Sequence, residues 1–113
     1  MRAIDLSVAS RSEGDWTVLD VNGEVDLFTA PKLREHIVGL VDEGRHRIVV
    51  NLKGVEFMDS TGLGVLVGAL KRLKEKDGAL ALVCPKGPVE RVLTVTGLNK
   101  VFAIHDSVEQ ATA

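Results

Sequence analysis

The chain is poor in cysteine, in aromatic residues, in excess positive charge and in long apolar runs, and each scarcity excludes something. A single cysteine, Cys84, leaves no partner for an intrachain disulfide. It lies in ALALVC, residues 79–84, which reads as a buried strand, so Cys84 is expected to act as a small hydrophobe rather than a nucleophile. Aromatics make up 4% of the 113 residues, so the core must be built from Val, Leu, Ile and Ala. A formal charge of -2 argues against nucleic acid as a partner, because phosphate contacts need a basic face. The basic residues that do gather, from Lys71 to Lys76, fit a helix C-terminus, where the dipole favours cations. No apolar run approaches the ~20 residues that span a bilayer, and the N-terminus lacks a charged-then-apolar leader pattern. The expected location is the cytoplasm, with no membrane partner.

Hydrophobic residues at 45% are enough for a folded core, and the length suits one domain over residues 1–113. No internal repeat, low-complexity segment or linker interrupts it. IDLSVA, residues 4–9, alternates as a half-buried strand; RSEGD is a turn; WTVLDV, residues 16–21, is a second strand paired antiparallel with the first. NGEVD is expected to break that strand. Thr29 then caps a helix with Pro31 in its first turn and Leu33, Ile37, Leu40 and Val41 inward, ending at Gly44. RIVVNL, residues 47–52, reads as a central strand. A glycine-rich helix is expected over residues 61–76 with Leu63, Leu66, Val67, Leu70 and Leu73 on one face and Gly78 ending it. ALALVC follows, then a short helix from Pro88 to Gly97 with Val89, Val92 and Leu93 inward, an edge strand VFAI, and a last turn capped by Asp106 or Ser107. The tail from Glu109 onward is the part expected to fray. Strands alternating with helices predict an α/β fold with a mostly parallel sheet of four to five strands, about four helices, and an antiparallel first strand at the edge.

The informative stretch is FMDSTGLGVLVG, residues 57–68. It puts Asp59 and Ser60 at a strand-to-helix junction, where unpaired N–H groups and the positive end of the dipole face outward. Glycine costs a helix roughly 1 kcal/mol relative to alanine, so Gly62, Gly64 and Gly68 need a reason. Gly64 and Gly68 share a face that admits a neighbouring backbone or a partner, with close packing onto the sheet as the alternative; Gly62 is expected to keep the surface beside Ser60 open. The stretch is not G-x-S-x-G, a Walker A loop or G-x-G-x-x-G. His36, His46 and His105 have no metal-ligand partner at a recognisable spacing, so no metal and no cofactor are expected. Two readings of Ser60 remain. Either Ser60 or Asp59 is simply the N-cap, or Ser60 is a modification site whose phosphoryl group adds about -1.5 to -2 charges that a helix N-terminus tolerates and a partner surface does not.

GEVDLFTAPKLRE, residues 23–35, together with VEFMDSTGLGVLVGALKR, residues 55–72, and VTGLNKVFAIHDSVEQA, residues 95–111, resembles the bacterial anti-sigma factor antagonists, which are single STAS domains. Among them it looks most like actinobacterial members that govern development or stress responses. The resemblance implies a partner-switching cycle. The unmodified form binds an anti-sigma factor, often a serine kinase of the histidine-kinase-like ATPase fold, and sigma factor is freed. The kinase phosphorylates the serine after the aspartate, here Ser60, and the complex dissociates; a metal-dependent PP2C-type phosphatase resets it. The chain is then substrate and ligand rather than enzyme. The partner-binding set carried over is Asp26, Asp59, Ser60, Thr61, Gly62 and Gly64, with Thr61 not the usual acceptor. Two competing readings are a STAS-type scaffold or accessory subunit of a stress-sensing or lipid-transport complex, and a small nucleotide-binding protein. The intact serine weighs against the first. The absence of a glycine-rich phosphate loop and of any lysine near Ser60 weighs against the second.

Overall fold

The computed structural model describes residues 6–113. Strands β1 (Leu6–Glu13) and β2 (Trp16–Val25) form an antiparallel hairpin whose partners run from Leu6 opposite Gly23 to Glu13 opposite Trp16. Of the expected strand at residues 4–9, Ile4 and Asp5 lie outside the described residues, and β1 continues beyond Ala9 through Arg11 to Glu13. The turn narrows to Gly14-Asp15. Gly14 has φ +61°, as the first loop position of a two-residue hairpin of the II′ kind requires. Arg11, Glu13 and Asp20 hold that end of the ladder, with Arg11 Nε donating to Asp20 Oδ2 at 2.7 Å.

Helix α1 (Ala30–Asp42) buries Leu33, Ile37, Leu40 and Val41, as its spacing predicts. It closes in a Schellman motif with Gly44 at φ +89°, where Gly44 N–H donates to Val41 O and Arg45 N–H to Leu40 O. Strand β3 (Arg47–Met58), helix α2 (Ser60–Glu75), strand β4 (Ala79–Val83), helix α3 (Pro88–Val95), a 3₁₀ turn (Leu98–Lys100), strand β5 (Ala103–His105) and helix α4 (Val108–Thr112) complete the chain. The sheet order is β1-β2-β3-β4-β5, antiparallel only between the first two. Consecutive parallel neighbours joined by right-handed crossovers place α1, α2 and α3 on one face. The larger core lies there, between those helices and Leu19, Val21, Ile48, Val50, Leu52 and Leu82. On the opposite face, among the described residues, Ala111 of α4 closes over Val18, Val49, Ala81 and Val83, with Trp16 and Val108 packed alongside.

Several boundaries differ from expectation for identifiable reasons. NGEV does not break β2. The strand runs on to Val25, and the irregularity is taken up by two register shifts against β3. In β3, Leu52, Val55 and Met58 all point into the larger core although they are three residues apart, because each interval carries one extra residue. That is why the alternation ends at Leu52 while the strand does not. Helix α2 starts at Ser60, not Thr61. It is ended by Asp77, not Gly78: Asp77 takes the left-handed conformation with φ +57°. Gly78 is required for a different reason, since a Cβ there would run into the His46 carbonyl oxygen. The edge strand sits two residues later than VFAI suggests at its start. Ser107, not Asp106, caps α4, accepting from Gln110 N–H at 3.2 Å. The expected last helical turn is α4, and within the tail expected to fray Ala111 is buried. No helix among the described residues is long and apolar enough to cross a membrane.

Candidate functional site

Val25 pairs with Met58 at the ends of β2 and β3, and the next residue along, Asp59, donates its N–H to Val25 O at 3.1 Å. Asp26 and Asp59 thus leave neighbouring strands at the same end of the sheet. Asp59 has extended backbone and is the N-cap of α2. Its Oδ1 accepts from Thr61 N–H at 2.9 Å and Gly62 N–H at 3.3 Å, so a carboxylate satisfies two of the helix's orphan donors. Ser60 is the first helical residue and is exposed, and among the described residues its hydroxyl makes no hydrogen bond. Of the two readings of the junction, the cap belongs to Asp59, which leaves the Ser60 hydroxyl outside the structural network.

Asp26 organises the neighbouring loop. Its Oδ1 accepts from Phe28 N–H at 2.9 Å and Thr29 N–H at 3.0 Å. The Thr29 hydroxyl donates to Glu24 O at 2.7 Å and accepts from Asp26 N–H at 2.9 Å. Thr29 therefore does not use its side chain to cap α1, as its position before Ala30-Pro31 suggests; that hydroxyl is committed to the loop behind it. The tied loop holds Leu27 and Phe28 outward at 65% and 81% exposure, and Phe57, across from Glu24, adds 48%. Leu27 and Phe28 thus leave the same end of the sheet as Asp59 and Ser60, with large apolar side chains held in water. Leu27, Phe28 and Phe57 are not among the motif residues singled out from sequence. The signal was available in Leu27-Phe28, two bulky hydrophobes inside a turn closed by Asp and Thr-Ala-Pro, with no helix or strand face to occupy.

Gly62 corrects an expectation. It is buried, and a Cβ would come within 2.7 Å of both Met58 Cγ and Val25 Cγ1. It does not keep the surface beside Ser60 open; it lets the first turn of α2 sit down on the ends of β2 and β3. Gly64 and Gly68 are exposed, and a Cβ at either meets nothing within 4 Å, so Gly68 is not there for packing onto the sheet. Thr61 is half-buried beside them. Cys84 is buried at the end of β4, and burial pushes its thiol up to about 11, with Glu90 adding to the effect, so it remains a protonated core residue at neutral pH.

A family model described as "STAS domain" matches residues 7–111. This chain belongs to the STAS family. The curated protein called "Anti-sigma-B factor antagonist" from Staphylococcus epidermidis is 35% identical over 94% of this STAS chain and 98% of its own length. The crystal structure of an anti-sigma factor antagonist from Mycobacterium paratuberculosis superposes with a TM-score of 0.87 at 28% identity, covering 95% of this chain and 91% of that one. SpoIIAA in its unphosphorylated and phosphorylated forms superposes at TM-scores of 0.70 and 0.71 with 24% and 23% identity, over 93% of this chain and 91% and 96% of theirs, which shows a shared fold.

Proposed function

We propose that the chain is an anti-sigma factor antagonist whose binding is switched by phosphorylation of Ser60. One observation carries the proposal: the Asp59 carboxylate already caps α2, so the exposed Ser60 hydroxyl has no structural duty and stands at the helix N-terminus, at the end of the sheet where the loop after β2 exposes Leu27 and Phe28. The family of its relatives is one of non-enzymatic regulators, and the partner in that role is an anti-sigma factor.

In the finer reading the unmodified surface binds an anti-sigma factor that is itself a serine kinase of the histidine-kinase-like ATPase fold, in the cytoplasm, and a PP2C-type phosphatase restores Ser60. The chain acts as a single STAS domain over residues 1–113 and supplies no catalytic group and no cofactor site. Asp26 contributes by fixing the loop that presents Leu27 and Phe28. Asp59 orients the first turn, Thr61 and Gly64 continue the surface along α2, and Gly62 supports it from beneath. The physics is differential. A phosphoryl group at the first helical residue meets a favourable dipole, worth about 0.3–1 kcal/mol, so the fold persists. The same charge pressed against an apolar contact loses its water without a partner, which costs several kcal/mol or more.

The test is capture from the source organism with tagged Ser60→Ala and Ser60→Asp. Ser60→Ala is expected to retain an anti-sigma factor and Ser60→Asp to lose it, by about 100-fold in affinity, or roughly 2.7 kcal/mol. Equal capture by both would set the switch aside and favour the scaffold reading.

A further inference from the structure

Resting on the reading of this chain as a partner-binding module, we propose that the groove between α1 and α2 receives an amphipathic helix of the anti-sigma factor, apolar on its inner side and acidic at its flanks. The groove, of about 260 Å³, has Ile37 and Ala69 in its floor, Gly64 and Gly68 along one wall and Arg34 and Arg72 on its rim. Three features select this occupant.

The first is shape. A Cβ at Gly64 or Gly68 would meet nothing within 4 Å, so neither glycine is needed for close packing inside the fold. With no side chain at either glycine, a foreign backbone can approach that wall of α2 closely. The second is charge. The groove is lined by two arginines and no acid, and among the described residues neither Arg34 nor Arg72 makes an ion pair. Carboxylates on the incoming helix would meet them in charge-assisted, bidentate hydrogen bonds. The third is continuity. Thr61 lines the groove and directly follows Ser60, so a partner seated at the switch surface reaches the groove without a gap. From Thr61 to Arg72 the axis rises about 16 Å, matching three turns of a docked helix. The volume is below the ~300–1,000 Å³ usual for a small-molecule pocket.

The experiment uses the full chain in the Ser60→Ala background and the purified anti-sigma factor that this bait captures, titrated by calorimetry. Gly68→Leu is expected to weaken binding at least tenfold while the thermal midpoint holds or rises, because leucine is the better helix former and a Cβ at this position is unobstructed. Arg34→Glu and Arg72→Glu are expected to weaken binding similarly and to flatten its dependence on salt. If all three bind within twofold of the background while Ser60→Asp still abolishes binding, the groove proposal is overturned and the switch stands. If Ser60→Asp binds as well as Ser60→Ala, or the Ser60→Ala bait captures no anti-sigma factor, the switch reading falls and the groove with it. If the chain alone dimerises and Gly68→Leu makes it monomeric, the occupant is a second copy and the proposal is wrong.

Discussion

At the junction of β3 and α2 two adjacent residues divide the work. Asp59 holds the helix and Ser60 is left free, and their substitutions should separate accordingly. Asp59→Ala removes the side-chain cap and is expected to cost about 1 kcal/mol in a urea melt, whereas Ser60→Ala should fall within about 0.5 kcal/mol of the parent. Gly62→Ala forces a methyl against Met58 and Val25 and should cost about 1–3 kcal/mol by the same measurement. Asp20 offers a pH test. The hydrogen bond from Arg11 holds its carboxyl below the usual 3.8, Asn51 adding to the effect against the opposing penalty of burial. A carboxylate with a depressed folded value stabilises the fold fully above its unfolded value and loses that contribution as pH falls through the folded one. The thermal midpoint should therefore drop below about pH 4, and less steeply in Asp20→Asn. The adjacency of Asp59 and Ser60 was legible in the sequence. Which of them caps was not, because both are good N-caps and the choice depends on the backbone at Asp59 being extended and its N–H being held by Val25 O.

Individual elements carry costs that mark their purpose. Helix α2 keeps Gly64 and Gly68 on an exposed face where alanine would fit. Gly68→Ala is expected to raise stability by up to about 1 kcal/mol, read as a shift of the urea midpoint at constant slope. At the end of that helix Asp77 occupies a left-handed position that glycine prefers, so Asp77→Gly should add about 0.5–1 kcal/mol. Helix spacings such as Leu33-Ile37-Leu40 were readable because a 3.6-residue period survives from sequence to structure. Strand β3 was readable only to Leu52. Beyond it the bulges convert a period of two into steps of three, and GVEFM cannot be told from a loop until β2 is known to lie beside it.

On the scale of the whole molecule, the sheet is protected unequally. Three helices cover one face and a five-residue C-terminal helix covers the centre of the other. The last turn of the chain is therefore part of the core. Ala111→Asp, which buries a charge over Val18 and Val49, should cost at least about 1–3 kcal/mol and lower the thermal midpoint by several degrees. Of the large exposed hydrophobes, Leu27, Phe28 and Phe57 lie at or beyond the C-terminal ends of β2 and β3, where the fold leaves them in water. Their shared end of the sheet arises from the parallel pairing of β2 with β3, which aligns residues about thirty positions apart.

The amino-acid sequence alone determined the alternation of strands and helices, the inward faces of α1 and α2, the antiparallel first strand and the DSTGLG junction, since each rests on local periodicity or on neighbouring residues. Only the tertiary structure decided that Asp59 rather than Ser60 caps, that Gly62 is packed while Gly64 and Gly68 are open, that Thr29 serves the loop rather than its helix, and that α4 closes the second face. The physical reason is common to all four. Each depends on what another segment places within a few ångströms, and sequence neighbours carry no record of that.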